Sequence, residues 1–259
     1  MNRETAETFV DALGAANGIV ATVGAGGKKT TLYRLLEAHR AIRTGRIMLT
    51  STVQTGAVPK ALDVPTVLVE QDDPDLAIAE TGKRDGAWLF AGHSAKPRRF
   101  SGLSLDLIPS LHVRGRFDVS LVKADGARMR MVKAPGRDEP ALPKAVATIL
   151  PVVSARAIGR PLGDMLVHHP ERLAKVVDAE PGTELTADHV ARLLSSPDGA
   201  LRRVGDARVV PVINMVDSPE RLALARDAAR KALSMTERFE RVVLASMASP
   251  LPLVEVIGG

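Results

Sequence analysis

Cysteine is absent from the 259-residue chain, which excludes disulfides, cysteine-ligated zinc, iron–sulfur clusters and any thiol or persulfide chemistry carried by the chain itself. Aromatic residues are scarce, with five Phe, one Tyr and one Trp. So few rings, and no dense basic run, give little with which to stack bases or track a phosphate backbone, so nucleic acid is not an expected partner. Long apolar runs are also missing. The longest, residues 145–155, is broken by Pro151 and falls far short of the ~20 residues of a membrane-spanning helix. The first ten residues carry Arg3, Glu4 and Glu7 without an apolar centre, unlike a signal peptide. A cytoplasmic protein with no membrane partner is the expectation.

What remains has the balance of an ordinary globular chain, 45% hydrophobic and 25% charged, and residues 1–259 read as a single domain. The formal net charge of +5 favours acidic ligands, phosphates included. Apolar runs predict strands at residues 19–23, 46–49, 66–69, 87–90, 117–122, 146–153, 208–213 and 241–245. Helical spacing falls between several of them, at residues 30–42, 74–81 and 219–233, after a first helix at residues 4–13. Alternation of this kind predicts an α/β fold with a mainly parallel sheet. Two stretches interrupt it. Residues 92–104 (GHSAKPRRFSGLS) read as a basic, turn-rich loop, and residues 154–206, with helical patterns at 170–177 and 187–194, read as a small helical insertion.

The chemistry concentrates in Gly24-Ala25-Gly26-Gly27-Lys28-Lys29-Thr30, between a predicted strand and a predicted helix. Backbone amides and a helix N-terminus in that setting can cradle phosphates, and glycine permits the close approach. Read with Lys28 as the phosphate lysine, the loop is shorter than G-x-x-x-x-G-K-[ST], and Lys29 stands where a magnesium-binding hydroxyl is usual. Asp125 follows the strand at 117–122, where a carboxylate could meet a metal or an attacking water. Asn214 and Asp217, in Ile213-Asn214-Met215-Val216-Asp217, resemble a guanine-holding N-K-x-D segment whose lysine is Met215. Taken singly, Asp125 and Asp217 serve equally as helix caps or turn formers. Adjacent His168 and His169 at a helix start do not by themselves converge on one ion, and no residue is assigned as a metal ligand.

The glycine loop, Thr50-Ser51-Thr52, Lys123-Ala124-Asp125-Gly126-Ala127, Lys133-Ala134-Pro135, Asp138-Glu139-Pro140 and the Asn214 to Asp217 segment together resemble the YqeC family, accessory proteins of selenium-dependent molybdenum hydroxylases. The resemblance covers about residues 18–246. It implies a P-loop NTPase-like fold, a nucleoside triphosphate (GTP or ATP) as ligand, and a role in maturing a molybdenum hydroxylase or handling its pterin cofactor. Gly24, Gly26, Gly27 and Lys28 look like the family's phosphate-binding residues, and Thr30 keeps a hydroxyl beside them. Thr50, Thr52, Lys123, Lys133 and Glu139 fall in its switch or cofactor segments.

Lys29 stands where the family has Thr, Lys123 where it has Glu, Met215 where it has Lys, and His169 where it has Arg. An ammonium cannot serve Mg²⁺, which wants oxygen ligands at about 2.0–2.1 Å. The two lysines either neutralise phosphate charge without a metal or swing to solvent and weaken the site. The expectation is nucleotide binding with weak or absent magnesium-dependent hydrolysis. An active NTPase, or a kinase- or ligase-like enzyme on a small molecule or pterin with Asp125 as acid or base, stands as the alternative.

Overall fold

A computed structural model describes residues 1–70, 73–97 and 99–259; Arg98, in the basic stretch at 92–104, lies outside them. The fold is α/β with a mostly parallel sheet and, among the described residues, seven α-helices. The chain divides into two compact units.

The first unit comprises Met1–Thr22, Leu32–Asp125 and Ala141–Thr148. It carries most of β1 (Gly18–Gly24), with β2 (Arg46–Ser51), β3 (Thr66–Leu68), β4 (Gly86–Ala91) and β5 (Val119–Lys123). Their order is β1-β5-β2-β4-β3, every pair parallel. Helix α1 (Arg3–Ala12) starts where the Asn2 side chain accepts from Thr5 N–H. Most of α2 (Lys28–Ala41), α3 (Pro74–Thr81) and α4 (Leu107–Arg114) complete the unit. In α3, Asp73 caps the first turn and Pro74 opens it, where the missing N–H removes no helical bond.

Parallel strands are covered on both faces, so they read as apolar runs instead of alternating ones. Val20 and Ala21 of β1, Ile47 and Met48 of β2 and Leu121 of β5 are fully buried. Trp88 lies in the core; Phe117 meets it edge-on at 6.3 Å and meets Phe90 at 5.4 Å. The Arg46 guanidinium covers both Trp88 and Phe117 and donates to the Gly115, Gly82 and Arg84 carbonyls. One arginine thereby closes this end of the small aromatic cluster.

The second unit comprises Val23–Thr31, Gly126–Pro140 and Ile149–Gly259. It holds the end of β1, most of β6 (Val146–Ser154), and β7 (Val212–Asn214), β8 (Arg241–Ala245) and β9 (Leu253–Gly258), in the order β6-β7-β8-β9. The first three strands are parallel and β9 is antiparallel. The expected strand at 208–213 is divided: Arg208–Val209 and Val212–Asn214 are strands, and Pro211, which lacks an N–H, stands between them. Helices α5 (Pro170–Val177) and α6 (Ala187–Ser195) fall within residues 154–206, as does a two-residue strand, Val167–His168, which pairs with Val132–Lys133. Helix α7 (Pro219–Met235) buries Ala225, Ala228, Ala229 and Ala232, one stripe at helical spacing.

His39 is fully buried in α2. The Ala15 carbonyl can only accept, so Nε2 donates to it at 3.0 Å, and Nδ1 takes the Thr44 hydroxyl at 2.8 Å. Burial pushes its pKa down to about 4 against the opposing pull of that carbonyl and of Asp118. His112, mainly through burial, and His168 are lowered as well. The unfolded chain therefore binds more protons than the folded one between about pH 4 and the ordinary 6.5, and stability falls as pH drops through that window. Urea midpoints at about pH 7.5 and about pH 5 are expected to differ more in the wild type than in His39→Gln. An equal difference in both proteins would count against this assignment.

Candidate functional site

The glycine loop leaves β1 and enters α2 within the second unit. Gly24, Gly26 and Gly27 have φ of +85°, +89° and +130°, which side-chain-bearing residues rarely adopt. Space is equally restrictive. A Cβ on Gly24 would stand 2.5 Å from the Val152 carbonyl, one on Gly26 would stand 2.6 Å from Ser154 N, and one on Gly27 would collide with the Asn214 amide. These glycines are thus required by strand packing before any ligand is considered.

Hydrogen bonds fix the same path. Ala25 N–H donates to Val152 O at 2.9 Å and Gly26 N–H to Arg130 O at 3.0 Å, while Ser154 N–H donates to Met131 O at 3.0 Å. Asn214 is 2% exposed; its Nδ2 donates to Gly26 O at 2.8 Å and its Oδ1 accepts from Met247 N–H at 3.0 Å. Of the residues expected at a nucleotide site, Gly24, Gly26, Gly27, Lys28 and Asn214 are brought together. The Asn214 amide serves the loop backbone.

Lys28 opens α2, is buried, and lays its ammonium on the Gly24 carbonyl, so the cation folds over the loop it follows. Lys29 is half-buried and Thr30 exposed. The next residue, Thr31, is fully buried and returns both its N–H (2.9 Å) and its hydroxyl (3.1 Å) to Gly27 O. The helix ladder offers no partner to the amides of its first turn, and its dipole favours an anion there.

Asp217 stands three residues beyond Asn214. Its Oδ1 accepts from Ser246 Oγ at 2.6 Å; its Oδ2 takes Arg156 at 2.6 Å and Arg221 at 3.5 Å. Burial works to raise this carboxyl, but the Ser246 and Arg156 bonds and the two arginine charges prevail and hold it below the usual range. Met215, at φ +62°, accepts the Ser154 hydroxyl on its sulfur at 3.0 Å. Ser154, Arg156, Arg221 and Ser246 were not among the expected site residues. Ser154 and Ser246, each just past a predicted strand, and Arg221, four residues after Asp217, were legible as positions; Arg156 reaches Asp217 only through a tertiary contact.

Lys133, with its side chain wholly buried, donates to Gly126 O at 2.6 Å and pairs with Glu139 at 2.7 Å. Burial acts to raise the Glu139 carboxyl, yet hydrogen bonds from Lys133 and from Gly136 N–H, with the Lys133 charge, hold it low. His168 faces Lys133 across the short ladder. Burial first, then His169 and Lys133, push its pKa down to about 4, so it is neutral at pH 7. Lys133 and Glu139, both expected in a switch or cofactor segment, pair as an interior clamp on the segment whose Arg130 carbonyl holds Gly26.

The remaining expected residues lie in the first unit. Thr50 Oγ1 donates to Phe90 O at 2.8 Å, and Ser51 Oγ to Lys123 O at 2.9 Å. Thr52 N–H donates to Lys123 O at 3.1 Å, and Thr52 Oγ1 is buried without a hydrogen-bond partner. Lys123 ends β5 half-buried, and Asp125 is buried two residues later. Among the described residues, no three His, Cys, Asp or Glu side chains cluster as a metal ion would require.

A glycine loop that turns a parallel strand into a helix, with a lysine folded over it, lies in an α/β fold with a mostly parallel sheet. A family model described as YqeC protein matches residues 20–171. The chain belongs to the YqeC family. It is also 27% identical over 186 residues to the uncharacterized protein YqeC of Escherichia coli (strain K12), covering 72% of this chain and 71% of that protein.

Lys133→Met leaves the Glu139 carboxylate, itself one-third exposed, without its cation. A loss of about 3 kcal/mol is expected, the low end for breaking a buried pair. Adding Glu139→Gln should recover part of it, read as urea midpoints. A single variant as stable as the wild type would show that the clamp contributes little.

Proposed function

We propose that this protein binds a nucleoside triphosphate, GTP or ATP, on a P-loop NTPase-like fold and acts as an accessory factor in maturing a selenium-dependent molybdenum hydroxylase. The observation that carries the nucleotide reading is the Lys28 ammonium, buried and laid on the Gly24 carbonyl at the N-terminus of α2. A phosphate oxygen offers that ammonium an ionised acceptor in place of a neutral carbonyl, and the helix dipole adds to the attraction. The selenium and molybdenum role rests on the family resemblance. A chain without cysteine would serve selenium chemistry by energising or chaperoning a step, not by carrying the selenium on a thiol.

Magnesium fits this loop poorly. Lys29 brings an ammonium to the position after Lys28, and the buried Thr31 hydroxyl is turned onto Gly27 O. Charge stabilisation is the main catalytic contribution in phosphoryl transfer, so weak metal binding reduces turnover more than affinity.

Titration with a fluorescent GTP or ATP, with and without Mg²⁺, is expected to give similar affinities and little turnover. Lys28→Ala should weaken binding about tenfold or more, as loss of a charged hydrogen bond implies. Lys29→Thr, which returns a hydroxyl to the position after Lys28, should restore dependence on Mg²⁺. Strict magnesium dependence with ordinary turnover in the wild type would overturn the slow-hydrolysis reading, and no binding of either nucleotide would overturn the whole.

A further inference from the structure

We infer that the site grips the polyphosphate and leaves the base unread, with Arg156 the residue that removes guanine selectivity. The inference rests on the nucleotide reading above and removes the distinction between GTP and ATP within it.

A pocket that selects guanine needs an amide to meet the ring carbonyl region, a carboxylate with acceptors for the ring N–H and exocyclic amine, and a long side chain over the base. Here each is otherwise engaged. Both ends of the Asn214 amide are satisfied by backbone, Gly26 O on one side and Met247 N–H on the other. Asp217 has Ser246 on Oδ1 and Arg156 on Oδ2, with Arg221 behind it at 3.5 Å. Met215 turns its sulfur to the Ser154 hydroxyl.

A base hydrogen-bonding to Asp217 would have to displace two charged or hydrogen-bonded partners for two of its own. That exchange returns little net free energy, because the Arg156 ion pair and the Ser246 hydroxyl bond are traded for two bonds from neutral donors. Met215 has no charge to set over the ring, and its left-handed backbone fixes where the side chain starts. A site built to hydrogen-bond a particular group discriminates by orders of magnitude; this one lacks the uncommitted groups to do so. The loop itself, by contrast, ends in features that read phosphate alone, namely glycine backbone, a helix N-terminus and Lys28.

Isothermal titration of the full chain with GTP, ATP and inorganic tripolyphosphate tests this. GTP and ATP are expected to agree within about threefold, less than 1 kcal/mol apart, and tripolyphosphate is expected to compete with both. Arg156→Ala with Arg221→Ala releases Asp217 Oδ2, and the GTP-to-ATP affinity ratio should rise about fivefold or more. The ratio cancels any general loss of positive charge, and the wild-type comparison does not depend on how the variant folds. A wild-type preference of about tenfold or more for either nucleotide would overturn the inference and leave triphosphate binding standing. An unchanged ratio in the double variant would overturn the role of Arg156. No binding of any of the three would overturn both readings.

Discussion

The hydrogen bonds of a single amide, Asn214, set the geometry of the glycine loop. Its two ends join the Gly26 carbonyl to the Met247 N–H. Because the amide lies against Gly27, no side chain fits there. The glycines at 24 and 26 repeat this condition at Val152 and Ser154. A loop held this tightly is preformed, so an anion arriving at it would not have to order the backbone. The arrangement also explains why Asn214, read from sequence as a base-contacting residue, is buried: its position is dictated from behind, by the strand it ends and the loop it carries.

Much of the frame was legible because local chemistry and tertiary need agree. Proline at the first helical position, an acidic residue in the first turn and an apolar stripe gave 170–177 and 74–81 with the bounds the structure shows. The strand at 241–245 was equally plain, an apolar run with charged residues before it. Helix Leu107–Arg114 escaped notice because Pro109 sits inside its first turn and breaks the expected pattern, although three buried residues, Leu107, Ile108 and Leu111, still carry a helical stripe. Strand Leu253–Gly258 escaped because it lies beyond Pro250 and Pro252 at the sheet edge, where residues alternate between half-buried and exposed and no apolar run forms.

The site was less legible than the frame. Which hydroxyl after Lys28 turns inward was a question of helical phase: Thr30 faces out and Thr31 faces in, and the two are indistinguishable in a Lys-Lys-Thr-Thr string until α2 is packed. The basic loop after Asp125 carried a similar ambiguity. Four cations in one turn-rich segment suggest a solvated or ligand-facing patch, yet Lys133 is the most buried charge among them and is paired internally. Sequence shows where charges are dense; only burial tells which of them are committed.

Commitment also changes how the net charge of +5 is read. Around Asp217, two arginines converge on one carboxylate, and around Glu139 a buried lysine and a neutral histidine face another. These acids are held below their usual pKa range, which keeps them ionised and keeps their cations in place. Positive charge at such pairs is already neutralised. Lys28, at the start of α2, has the neutral Gly24 carbonyl among its partners. A negative group in place of that carbonyl would gain Coulomb energy, whereas one in place of a carboxylate at Arg156 or Lys133 would exchange one negative partner for another.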